Sequence, residues 1–140
     1  MKKSILVTIG LSVGLIGAMG TTSTTANAAK VHSGIPSVLR HTKWHSKKFH
    51  MSGMTLRSTV TFYNKTLKSN PVGAMNSTPT YKMKYKYLGH HTYYLVGRIY
   101  NNAPAGGMAW KYKVKRYSSH KMYFKDLTQP SKYVNQIYTR

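Results

Sequence analysis

From Tyr81 the chain alternates, with Tyr81, Met83, Tyr85 and Tyr87 in one register and Lys82, Lys84 and Lys86 in the other. A period of two sends successive side chains to opposite faces of an extended strand, so this stretch predicts a strand with an aromatic face and a lysine face. The pattern returns where Trp110, Tyr112 and Val114 alternate with Lys111, Lys113 and Lys115. Residues 92–100 and 120–127 read as further strands, the second with Met122 and Phe124 inward. Upstream, β-branched and aromatic residues make strands of 44–49 and 54–63, turning at Ser52-Gly53. Leu88-Gly89-His90-His91, 101–107 and Ser118-Ser119 read as turns or loops, as does 68–79 with its Asn70-Pro71, Gly73, Asn76 and Pro79. Residues 133–138 fit either a last strand or one to two helical turns. Together these elements predict an all-β domain: a small antiparallel meander of about six strands, closed into a barrel or packed as a sandwich.

The apolar run from Ile5 to Met19 has a different character. It follows Lys2 and Lys3 and is succeeded by Ala26-Asn27-Ala28, the small-x-small pattern that fits a signal peptidase. A spanning helix needs about 18 or more apolar residues, and this run is shorter and contains three glycines, so residues 1–28 are expected to be a cleaved signal peptide. A linker over 29–34 and one basic β-rich domain over 35–140 then follow. The expected destination is outside the cell, with retention at the surface by charge. The chain has no cysteine, which excludes thiol catalysis, thiolate metal sites and disulfide staples.

Charge changes the picture most. Twenty-two Lys and Arg stand against one acid, Asp126, for a formal +21; loss of Lys2 and Lys3 with the leader leaves +19. All seven histidines lie beyond residue 28 and add positive charge as pH falls through about 6.5. Such a surface is drawn to polyanions without choosing among them. The expected partner is therefore an anionic cell-wall polymer or other anionic surface, met by Lys82, Lys84, Lys86, Lys111, Lys113 and Lys115. The competing reading of these lysines is an ordinary solvated face that discourages strand aggregation.

Little in the sequence points to catalysis. Paired-carboxylate chemistry needs a second acid. Ser118, Ser119, His120 and Asp126 hold the ingredients of a triad without a nucleophile-elbow motif around either serine. His41, His45, His50, His90 and His91 match no zinc spacing, and no metal or other cofactor is expected. Aromatic and lysine residues that alternate point to opposite faces, which fits a basic exterior better than a base-stacking nucleic-acid platform. Trp44, Tyr81, Tyr85, Trp110 and Tyr112 are candidates to line a cavity, or else to fill the core.

The segment Ile35-Pro36-Ser37-Val38-Leu39-Arg40-His41-Thr42-Lys43-Trp44-His45 resembles small secreted proteins of lactobacilli, whose mature domains open with a pattern like I-P-x-x-L-R-G-T-W-Y. That group has no assigned activity, so the resemblance implies export and surface life rather than a reaction. The segment is also similar to the G-x-W opening of lipocalin-like barrels, in which the tryptophan closes one end. It departs from that pattern at His41, which stands in place of the glycine, and at Lys43, an added residue before Trp44. These readings lead to a non-enzymatic, exported cationic protein that adsorbs to anionic surface polymers, the alternative being a small barrel that binds an apolar or aromatic ligand.

Overall fold

The computed structural model describes residues 29–74 and 76–140; the expected leader over 1–28 lies outside them. The described chain is all β, without an α-helix, in eleven strands: β1 (Val31–Ser33), β2 (Thr42–Ser46), β3 (Phe49–Met51), β4 (Met54–Leu56), β5 (Thr59–Phe62), β6 (Leu67–Asn70), β7 (Thr78–Tyr87), β8 (Thr92–Ile99), β9 (Met108–Arg116), β10 (Lys121–Asp126) and β11 (Gln136–Thr139). Among the described residues no helix is long and apolar enough to cross a membrane.

Eight strands close on themselves in the order β2-β5-β6-β7-β8-β9-β10-β11, every pairing antiparallel, with β11 returning to β2 through Tyr138↔Ser46 and Thr139↔His45. The meander is thus a closed barrel rather than a sandwich, and closure removes the free edges that a sheet of this length would otherwise present. β3 and β4 form a separate hairpin between β2 and β5, turning at Ser52 (φ 49) and Gly53 (φ 74). Two consecutive positive φ values suit the right-handed twist of a tight hairpin.

The sequence pattern misses β1 and β6 and merges two pairs, since the expected strand over 44–49 divides into β2 and β3 and that over 54–63 into β4 and β5. β6 overlaps the start of the stretch read as loop over 68–79, where Asn70-Pro71 ends a short strand whose inward residues are Leu67 and Ser69. β1 occupies the expected linker and pairs with the far half of β7, Val31↔Lys86 through Ser33↔Lys84. The 133–138 segment resolves into a turn followed by β11.

β7 needs a device to serve three partners. Along one edge its first residues pair with β6 and its last with β1, while its other edge pairs with β8. The change of partner falls at Met83, whose N–H donates to the Lys65 carbonyl (3.1 Å) and whose carbonyl accepts from Gly34 N–H (2.7 Å). There the register with β8 slips between Tyr81 and Lys84, and Lys82 takes φ 51. A bulge of this kind bends a strand and re-aims its side chains. Gly97 on β8 makes room for it: a Cβ there would lie 2.3 Å from Met83 Sδ and 2.7 Å from the Tyr81 carbonyl.

The interior is filled. Trp44, Val60, Phe62, Leu67, Met83, Leu95, Tyr112, Val114, Met122, Phe124 and Tyr138 are buried together, as expected of an eight-stranded barrel whose bore is only wide enough for side chains. One end is plugged by the segment that precedes β2. Ile35 and Leu39 are fully buried, and the Trp44 indole N–H donates to Thr42 Oγ1 (2.6 Å), whose hydroxyl donates in turn to the Leu39 carbonyl. The Arg140 guanidinium stacks 4.9 Å from the Trp44 ring centroid and its Nε donates to the Ser119 carbonyl (2.6 Å). His41, in the turn that leads into β2, takes φ 58, a conformation that a glycine adopts more freely.

Candidate functional site

Two features stand out, one outside the barrel and one at its end. The outer face of β7–β10 is a basic sheet. Lys84, Lys111, Lys113, Lys115 and Lys121 are exposed, and Lys86 and Lys125 are half-buried beside them. Cross-strand pairing puts Lys86, Tyr94, Lys113 and Lys125 in one row and Lys84, Val96 and Lys111 in the next. Lys113 faces Lys125 directly, a like-charge pairing that costs stability unless a counterion relieves it. Asp126 is turned inward and is 6% exposed, so the chain's one carboxylate side chain offers this face no relief. Lys82 stands apart from the rows: the bulge sends it toward Tyr100, with Nζ 5.6 Å from that ring. Sequence alternation places aromatic rings and lysines on opposite faces, yet Tyr94 and Tyr123 lie on the lysine face. Tyr94 is flanked by Lys86 and Lys113, and Tyr123 faces Lys115.

The five aromatic candidates separate. Trp44 is core at the plugged end. Tyr85, half-buried, stacks on His32 of β1 (5.0 Å between ring centroids) and meets Tyr93 edge-on. Tyr81 does not share the interior face of Met83 and Tyr85: the bulge moves it outside, 40% exposed and against Tyr100. Only Trp110 and Tyr112 come together in a cavity, at the end of the barrel opposite the plug.

That open end is built by the β6–β7, β8–β9 and β10–β11 loops. One cavity of about 320 Å³ is lined by Ser69, Trp110, Tyr112, Asp126, Gln129 and Val134 among others. A second, of about 380 Å³, is lined by Asn76, Thr78, Asn101, Asn102, Trp110 and Gln129 among others. Thr78, Trp110 and Gln129 belong to both, so the two adjoin with the indole between them. Asp126 fixes that indole. Its Oδ2 accepts the Trp110 Nε1–H (2.8 Å), while Oδ1 accepts the backbone N–H groups of Thr128 and Gln129 (2.8 Å each). Burial pushes the carboxyl pKa up and these three hydrogen bonds oppose it, with burial the larger effect. Tyr112 forms the floor, its hydroxyl bonded to Thr80 Oγ1 (2.7 Å), and burial raises its pKa strongly. Sequence reasoning sets Asp126 aside as a lone acid. The clue to its place is the inward alternation of Met122 and Phe124, which one more period carries to Asp126.

No protein-family model, no curated protein and no solved structure matches this chain. The histidines do not gather: among the described residues no group of three metal-ligating side chains comes together. His50 pairs with Thr55 Oγ1 in the β3–β4 hairpin, and His90 and His91 sit in the β7–β8 turn. Ser119 Oγ and His120 Nδ1 are 2.8 Å apart in an exposed turn, whereas Asp126 lies inward at the mouth with both carboxylate oxygens engaged elsewhere.

Proposed function

We propose that this protein is an exported, non-enzymatic cationic barrel that holds to anionic polymers of a cell surface through the outer face of β7–β10. The observation that carries the reading is the pair of lysine rows, in which Lys113 directly opposes Lys125 and no acid is present to neutralise them. A folded protein that keeps Lys113 against Lys125 carries a standing electrostatic cost, and a polyanion laid across the rows removes it. At an anionic lipid surface each nearby cation contributes about 1 kcal/mol, and on that scale a few simultaneous contacts with a wall polymer suffice for retention. Tyr94 and Tyr123 add flat apolar area between the charges.

Co-sedimentation with purified cell walls, with and without their teichoic acid, tests this across a salt series at pH 5 and pH 7. Binding is expected to require the anionic polymer, to fall steeply with salt and to tighten at pH 5 as histidines charge. Replacing Lys84, Lys111, Lys113 and Lys125 by Gln should release the protein at lower salt than replacing Lys43, Lys47, Lys65 and Lys68. Equal effects of the two sets, or wall binding indifferent to salt, would overturn the assignment.

A second reading draws on the cavities at the open end, which give the barrel a place for a small ligand. The filled interior puts that ligand in the mouth rather than in the bore.

A further inference from the structure

The lining of the mouth contrasts with the rest of the molecule. In a chain with 22 Lys and Arg, no described residue lining either cavity is a cation. An anionic ligand would therefore meet no charge partner among the described residues that line the mouth. Asp126 offers an ammonium group little, since it is 6% exposed and three of its roughly four acceptor sites are already taken by the Trp110 indole and two backbone N–H groups. An aliphatic ligand would cover the Asn101, Asn102 and Gln129 amides without pairing them, which is unfavourable.

What remains is a half-buried indole, held in one orientation by Asp126, with amide and hydroxyl groups on both sides of it. Amides and hydroxyls both donate and accept, which matches ligand hydroxyls that do the same. The indole presents a flat apolar surface that suits the C–H face of a pyranose ring. Each cavity lies at the small end of the roughly 300–1,000 Å³ range of ligand sites. We propose that the mouth binds a neutral carbohydrate, with one or two sugar rings seated against Trp110 and hydrogen-bonded by Gln129, Asn101 and Thr78. This rests on reading the mouth as a ligand site, and it is independent of adsorption through the lysine face.

The two tryptophans supply both the probe and its control. In 15N-labelled protein each gives an indole N–H signal. That of Trp110 reports on the mouth and that of Trp44, buried against Thr42, reports on the fold. Cellobiose, N,N′-diacetylchitobiose, maltose and lactose are titrated, with the neutral dye N-phenyl-1-naphthylamine as an apolar comparison. At least one disaccharide is expected to move the Trp110 signal saturably, in the millimolar range, and to leave Trp44 in place. Trp110→Ala should abolish binding, read from backbone amides around the mouth. Should that variant lose the Trp44 signal, the paired variant Gln129→Ala with Asn101→Ala stands in for it, with affinity expected to fall at least several-fold. If the dye binds at the mouth and no disaccharide does, the carbohydrate assignment falls and the mouth remains a ligand site. If neither binds, both fall. Sugar binding unchanged in every folded variant would place it elsewhere and overturn the proposal.

Discussion

Trp44 and Trp110 occupy opposite ends of one barrel, and each donates its indole N–H to a side-chain oxygen, Trp44 within its own strand β2 and Trp110 across to β10. At the plugged end the acceptor is the Thr42 hydroxyl, the ring is fully buried and Arg140 lies over it. At the mouth the acceptor is a carboxylate, the ring is half-buried and cavities flank it. The environment rather than the residue type decides the role. A tryptophan surrounded by Ile35, Leu39 and neighbouring strands is packing, whereas one oriented by Asp126 and bordering two cavities has the setting that the proposed ligand platform requires.

The sharpest test of this contrast is truncation. Trp44→Ala should cost about 3–5 kcal/mol, as for other buried large-to-small changes, and urea unfolding would measure it. Trp110→Ala should cost less than half as much; equal losses would mean that the mouth is simply more core. Next in size, Asp126→Asn sets an amide N–H₂ against the Trp110 N–H, or against two backbone N–H groups if it flips. Leaving a buried donor unpaired should cost about 1–3 kcal/mol and broaden the Trp110 indole signal while sparing that of Trp44.

A smaller effect separates two groups by pH. Burial first, then Arg57 and Lys43, lower the pKa of His45, so the unfolded chain takes this proton more readily. Its contribution is full above about pH 6.5 and is lost as pH falls through the folded value. Asp126 has the opposite sign: its folded pKa is raised, so its contribution is present below about pH 3.8 and is lost as pH rises through the folded value. Stability curves of His45→Gln and Asp126→Asn should flatten in these two different windows. The smallest change expected is at His41, where glycine relieves the left-handed conformation at some entropic cost. His41→Gly should stabilise the protein by at most about 1 kcal/mol, read as a small rise in Tm.

Much of the barrel was legible in residues 81–127, where alternation is regular and loops carry Gly, Asn and Pro. It failed where a local device overrides periodicity. The bulge at Lys82 puts Tyr81 outside, and nothing in an unbroken Tyr/Lys alternation marks it except Gly97 on the neighbouring strand. β1 and β6 are too short to show a period; β1 is fixed by a partner distant in sequence, Val31 opposing Lys86, and β6 by its chain neighbours β5 and β7. The lysine face was legible as a face, but the opposition of Lys113 and Lys125 depends on strand register. The mouth was half legible, since Trp110 and Tyr112 were candidates while Gln129 and Thr78 come from loop and strand ends that only closure brings together.

The lysine rows also bear on how the molecule's endurance is measured. Because Lys113 opposes Lys125 with no acid in the rows, the electrostatic work of folding is set partly by whatever anions the medium supplies. Dissolved ions and bound polymers enter that balance as ligands of the native state, so a melting temperature for this barrel describes the buffer as well as the chain. Two laboratories working at different ionic strengths would report two different proteins.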